Sequence, residues 1–283
     1  MRFVHRFFIA TATLWLVGCA KELSTETNGN PPIDNANCRI DTAFRLVGDP
    51  DGDTVIYVYD SQNKLLEWRG TDYAVTGRHS KMFYTGARLD SNISYSNGTT
   101  VTARILFNYN TQNQLRKITV FGYEPMQTPL DTSYYHVLGY TGDLLTSNDV
   151  YNAETIGGAG VLRSGIKYEY TGKNITRFIL DHFDTDGDYL DTDTIDITYS
   201  NKPNPFKASN PNHYFFDPLF FLMDYGFTWP NLLSEGTAMQ YAIGGVPLLN
   251  FNYDYTPGGR LLNVKENITL DAHLIKYKYS CEP

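Results

Sequence analysis

Apolar and polar residues alternate with a period of two along most of this chain. Val101, Ala103, Ile105, Phe107 and Tyr109 fall on one side of such a run, and Thr102, Arg104, Leu106 and Asn108 fall on the other. Successive side chains of a strand point to opposite faces, so the pattern predicts a half-buried β-strand. The last run behaves the same way, with His273, Ile275, Tyr277, Tyr279 and Cys281 sharing a face. Helical periodicity is absent over nearly the whole length.

The runs are joined by a recurring unit. Aromatic or apolar residues two apart lead into a polar turn with Gly or Asn, and a Leu or Ile opens the next run. The clearest copies are YVYDSQNKLLEW from Tyr57, FNYNTQNQLRKI from Phe107, YEYTGKNITRF from Tyr168 and FNYDYTPGGRLLNV from Phe251. Degenerate copies begin at His136 and Ile195. Asn, Asp and Gly supply turn conformations, so each unit predicts a β-hairpin. The expected fold is all-β: an antiparallel meander of roughly a dozen strands in an extended or curved sheet. The 22 tyrosines fit a pleated, cross-strand-packed surface; stacking of exposed rings on a sugar or peptide is the alternative.

These units resemble the tyrosine-aspartate (YD) repeats of Rhs-like proteins, and the chain as a whole resembles Bacteroidota-type lipoproteins of unknown function built on them. Tyr59-Asp60 and Tyr253-Asp254 carry the eponymous pair, whereas Tyr109-Asn110 and Tyr170-Thr171 depart from it. The resemblance spans roughly residues 40–280 and implies a fold without an activity.

Residues 203–250 break the pattern and read as an irregular insert with six prolines. Proline removes a ladder donor, which argues against central strands. Asp217-Pro218, an apolar body and Gly226 predict a short helix near 218–225. That helix plugs the sheet, or else lines a candidate ligand pocket with Phe215, Phe216, Phe220, Phe227 and Trp229.

The N-terminus is an export signal. Arg2 and Arg6 precede an uncharged stretch from Phe7 to Val17, followed by the lipobox Leu16-Val17-Gly18-Cys19. A bilayer-spanning helix needs about 20 residues, so this 11-residue run fits a signal peptide over residues 1–18. Lipidation is expected at Cys19, tying the chain to a membrane. Residues 19–37 read as a flexible tether and 38–283 as a single β-repeat domain. Cys38 and Cys281 then remain at the two ends of that domain, placed for a disulfide; two separate buried thiols are the alternative.

Charge narrows the partners. The chain carries 23 basic and 31 acidic residues, net −8, with no basic stripe of the kind that displaces counterions from nucleic acid. No catalytic residues emerge: HExxH, nucleophile-elbow, Walker A and dinucleotide fingerprints are all missing. Asp184, Asp186, Asp188 and Asp191 resemble a calcium loop, yet an EF-hand count places Tyr189 sixth and Ile195 twelfth, where Gly and Glu belong. A solvent-facing hairpin turn explains the same residues. No cofactor is expected apart from that possible Ca2+. The expectation is a lipid-anchored envelope protein, in the outer membrane, that binds or scaffolds without catalysis. A glycan-binding accessory protein is the first alternative and a carboxylate-dependent hydrolase the second.

Overall fold

The computed structural model describes residues 40–44, 54–62, 64–70, 77–122, 132–152, 160–203, 234, 236–256, 261–268 and 272–279. Those residues form sixteen strands. They are β1 (Ile40–Phe44), β2 (Thr54–Tyr59), β3 (Leu65–Gly70), β4 (His79–Thr85), β5 (Arg88–Ser96), β6 (Thr100–Tyr109), β7 (Leu115–Gly122) and β8 (Thr132–Thr141). There follow β9 (Leu144–Asn152), β10 (Val161–Thr171), β11 (Asn174–Phe183), β12 (Tyr189–Pro203), β13 (Gly236–Ile243), β14 (Val246–Tyr255), β15 (Leu261–Ile268) and β16 (Ala272–Tyr279).

Every strand pairs antiparallel with its neighbour in sequence, and β1 also pairs with β16, so the sheet is a closed barrel. The expected extended or curved sheet is thereby corrected. An open meander would leave two rows of unpaired N–H and C=O groups on β1 and β16; closure satisfies both. Among the described residues there is no helix, and the one expected near 218–225 lies outside them. The expected irregular insert also gives way to strand before residue 250, because β13 and β14 are ladder members. Pro247 is tolerated there opposite Ala242, at a shift in register between Tyr241 and Ala242.

The turns explain the repeat's polar residues. Asp60 Oδ1 accepts from the backbone N–H of Gln62 and of Lys64, both at 2.8 Å. Asn110 does the same for Gln112 and Gln114, at 3.0 and 2.8 Å. Asp60 of the Tyr59-Asp60 pair is thus a turn-builder that satisfies two backbone donors, and Asn110 serves equally, whereas Asp254 lies within the ladder opposite Asn263. Elsewhere a two-residue turn led by glycine does the work: Gly86, Gly142 and Gly172 all have φ near +60°.

The Tyr and Leu of the repeat form one structural device at the end of the barrel where these hairpins turn, hereafter the tyrosine end. Tyr59, Tyr84, Tyr109, Tyr140, Tyr170 and Tyr255 lie opposite Leu65, Leu89, Leu115, Leu145, Ile175 and Leu261, and Tyr199 lies opposite Ala238. Immediately before each of these tyrosines the register shifts. Such a bulge bends and twists the strand pair, as barrel rims require. The tyrosine hydroxyls then stitch hairpin to hairpin. Tyr84 donates to Leu65 O at 2.8 Å, Tyr109 to Leu89 O at 3.0 Å, and Tyr170 to Leu145 O at 2.8 Å. Tyr199 reaches Ile175 O and Ser234 Oγ, Tyr253 donates to Ala238 O at 2.7 Å, and Tyr279 to Leu261 O at 2.9 Å. Each bond sacrifices no ring burial, since the rings pack against the core while the hydroxyl meets a carbonyl. Burial accordingly pushes the Tyr109 and Tyr140 hydroxyls up to about 12, and those of Tyr84, Tyr170 and Tyr199 further.

Between the two ends, the enclosed face is apolar. Tyr57, Phe107, Ile118, Leu138, Ile166, Phe178, Ile195, Tyr241 and Phe251 are all buried. The residues alternating with them include exposed Lys81, Arg104, Lys167, Glu169, Arg177, Lys265, Lys276 and Lys278, with exposed Phe44, Ile56, Leu66 and Phe83 among them. A closed barrel has only two faces, so the shielded set points inward and the charged set outward.

Candidate functional site

The sequence-derived candidates fall mostly outside the described residues. Cys19, Cys38 and Cys281 lie there, as do Phe215, Phe216, Phe220, Phe227 and Trp229. The acidic turn is described. Asp184 Oδ1 accepts from the N–H of Asp186 at 2.9 Å and of Asp188 at 2.8 Å, so it builds the turn as Asp60 and Asn110 do. Among the described residues no group of three or more His, Cys, Asp or Glu side chains is placed to hold a metal ion. Asp191 sits apart from the turn, opposite His182 on β12.

Away from the tyrosine end, the enclosed face of β8–β12 becomes polar. Pairing aligns His136, Val150, Ser164, His182 and Asp191 in one row across the five strands, with Leu138, Asn148, Ile166, Leu180 and Asp193 in the next. His136 Nδ1 and Asn148 Oδ1 are 3.0 Å apart, and His182 Nε2 lies 3.1 Å from Asp193 Oδ2. Burial pushes the Tyr168 hydroxyl well above its usual range, with Asn148 offsetting part of the rise. Ser164 stands opposite His182 at 3% exposure, and its hydroxyl has no hydrogen-bond partner among the described residues. Serine, histidine and aspartate therefore converge here, a grouping that one-dimensional spacing did not reveal. The Ser164 hydroxyl is neither bonded to His182 nor open to water, so the contact that activates a nucleophile is not made.

The outer face carries a second group. Thr119, Tyr135, Tyr151 and Leu162 form one outward row over β7–β10, and Lys117, Val137, Asp149, Gly165 and Asp181 form the next. The Tyr135 and Tyr151 rings stack with centroids 4.9 Å apart and planes within 10°. Lys117 Nζ lies over Tyr135 at 4.0 Å from its centroid. Asp149 leans over Gly165, where an added Cβ would come within 3.4 Å of its Oδ1. Partial burial raises the Asp149 carboxyl above its usual range, against the lowering effect of Lys167. Lys167 Nζ in turn pairs with Asp181 Oδ2 at 3.3 Å, and the Thr192 hydroxyl, before Lys167, holds Asp181 below its usual range.

No protein family model matches the chain, and no curated protein matches it. Among solved structures, it is similar to a porin-like protein from Bacteroides vulgatus ATCC 8482, with TM-score 0.52 and 11% identity over 86% of this chain and 99% of that one. A porin-like protein from Bacteroides uniformis ATCC 8492 aligns comparably, with TM-score 0.53 and 10% identity over 85% and 96% of the two chains. At such identities the likeness is one of barrel fold. TcdB2-TccC3 matches with TM-score 0.33 over 10% of its length, too low for an inference about the repeat.

Proposed function

We propose that this chain is an envelope lipoprotein whose barrel stands in water beside the membrane and acts there as a non-enzymatic binding module. One observation carries the reading: the polarity of the barrel is opposite to that of a membrane-spanning one. A spanning barrel needs an apolar outer band about 25 Å tall, and an outward Lys or Arg at mid-bilayer costs about 2–4 kcal/mol. Here Lys81, Arg104, Lys167, Arg177 and Lys276 face outward and exposed, interrupting the apolar Phe44, Ile56 and Phe83, while aromatic and aliphatic side chains fill the enclosed face apart from its polar end on β8–β12. With no helix of the described residues able to cross a membrane either, attachment falls to the lipid expected on Cys19. The porin-like neighbours support an outer-membrane setting, reached through the anchor rather than through the wall.

Cys38 and Cys281 fit this reading as a staple across the β1–β16 seam. Ile40 pairs with Tyr279, and each cysteine lies two residues beyond its member of that pair.

Phase partitioning tests the proposal. The full chain is expected in the detergent-rich phase and the Cys19→Ala variant in the aqueous phase. A Cys19→Ala chain that stays with membranes, or that conducts ions across a planar bilayer, overturns it. On the same soluble variant, the non-reduced mass should fall two hydrogens below the reduced mass; equal masses remove the staple.

A further inference from the structure

We infer that the outer face around the Tyr135–Tyr151 stack is a binding platform for a saccharide chain. The inference rests on the outer face being wet, as proposed above, and names what that face takes. At the rim, tyrosine packs its ring on the core and sets its hydroxyl on a neighbouring carbonyl. Tyr135 and Tyr151 depart from that arrangement. They stand outward on β8 and β9, stacked on one another, and contribute nothing to the enclosed core.

The groups around them are of both hydrogen-bonding kinds. Lys117 and Lys167 donate, and Asp149 accepts, on the row adjoining the rings or the next one out. Gly165 leaves that row without a side chain between Asp149 and Asp181. Tyr135 is covered by Tyr151 on one face and by Lys117 on the other, so Tyr151 is the ring that a ligand would meet, with Asp149 and Phe183 closing over Gly165 beside it. Sugars present an apolar C–H face to a ring and hydroxyls that both donate and accept, so they match this mixture. A polyanion would meet Asp149 and Asp181 in a chain of net charge −8. An extended peptide adds most readily to an open sheet edge, and the closed barrel has none.

The test is calorimetric titration of the Cys19→Ala chain with neutral hexasaccharides of glucose, mannose, xylose, galactose and N-acetylglucosamine. At least one is expected to bind. Tyr151→Ala should then weaken it by about tenfold, as loss of an aromatic anchor does, while Tyr151→Phe stays within about twofold. Asp149→Asn supplies an independent reading that preserves side-chain size, with the expected result a weakening of the same ligand. No binding by any of the five, or binding unchanged in Tyr151→Ala and Asp149→Asn chains of native circular dichroism, overturns the platform. A Cys19→Ala chain that partitions into water yet binds no sugar sinks the platform and leaves the anchored-barrel reading intact.

Discussion

The tyrosines of the rim and the tyrosines of the outer wall are the same residue put to different uses. At the rim, Tyr84, Tyr109, Tyr170 and Tyr199 bury their rings and bond their hydroxyls to carbonyls of the preceding strand. On the wall, Tyr135 and Tyr151 stack outside the core, with Lys117 on the outer face of Tyr135. Rim tyrosines should therefore matter to stability and hardly to recognition, and wall tyrosines the reverse. The contrast also shows why a high tyrosine content by itself says little about ligand binding: the enclosing barrel decides which rings remain available.

The contrast can be broken from either side. The largest effect is expected from Phe178→Ala, which empties a fully shielded position between Tyr168 and Tyr241. It should cost about 3–5 kcal/mol in urea unfolding. A loss under about 1 kcal/mol would show that the enclosed face is not packed, and the division into rim and wall would lose its basis.

Next in size is the response to alkaline pH. The rim hydroxyls titrate higher when folded than when unfolded, with Tyr109 and Tyr140 at about 12 against an ordinary 10. Above pH 10 the unfolded chain has released protons that the folded chain still holds, so stability present below pH 10 is lost as pH rises towards 12 and beyond. Thermal melts should fall steadily between pH 9 and pH 11, a range around the unfolded tyrosine value of about 10. A flat profile would mean that the hydroxyls are not enclosed.

Tyr170→Phe isolates the hydrogen bond while keeping the ring. It removes the bond to the Leu145 carbonyl and should cost about 1 kcal/mol. The smallest effect is expected on the wall: Tyr151→Ala should change stability by less than about 0.5 kcal/mol, since it removes a surface ring that packs on no core residue. If Tyr151→Ala destabilised the chain more than Tyr170→Phe, the assignment of the two classes would be reversed.

Much of the fold was legible because hairpins are local. Tyr170, the Gly172 turn and Ile175 lie within six residues of one another, and period-two alternation with a glycine turn suffices to specify the pairing. The Asp60 turn was equally readable, as was the bland explanation of the Asp184 loop. The wall pair was harder to see. Counting back by two from the repeat tyrosine Tyr140 places Leu138, His136 and Tyr134 on the inward face and Tyr135 outside, so half the pair was accessible in principle. Tyr151 was not, because the bulge beside Tyr140 shifts the register of β9 by one residue and reverses the count. The Ser164–His182–Asp193 grouping was hidden for a related reason: its members come from three strands whose alignment depends on two separate ladders.

By itself the sequence determined the elements: strands from alternation, and hairpins from Asx and glycine turns. These rest on interactions between residues a few positions apart, whose outcome does not depend on the rest of the chain. Only the tertiary structure decided that the ends meet. Pairing of Ala43 with Tyr277 spans nearly the whole domain, and no local pattern encodes it. That single long-range contact turns a two-faced sheet into a vessel with an inside and an outside. It thereby fixes which tyrosines are structure and which are left facing water.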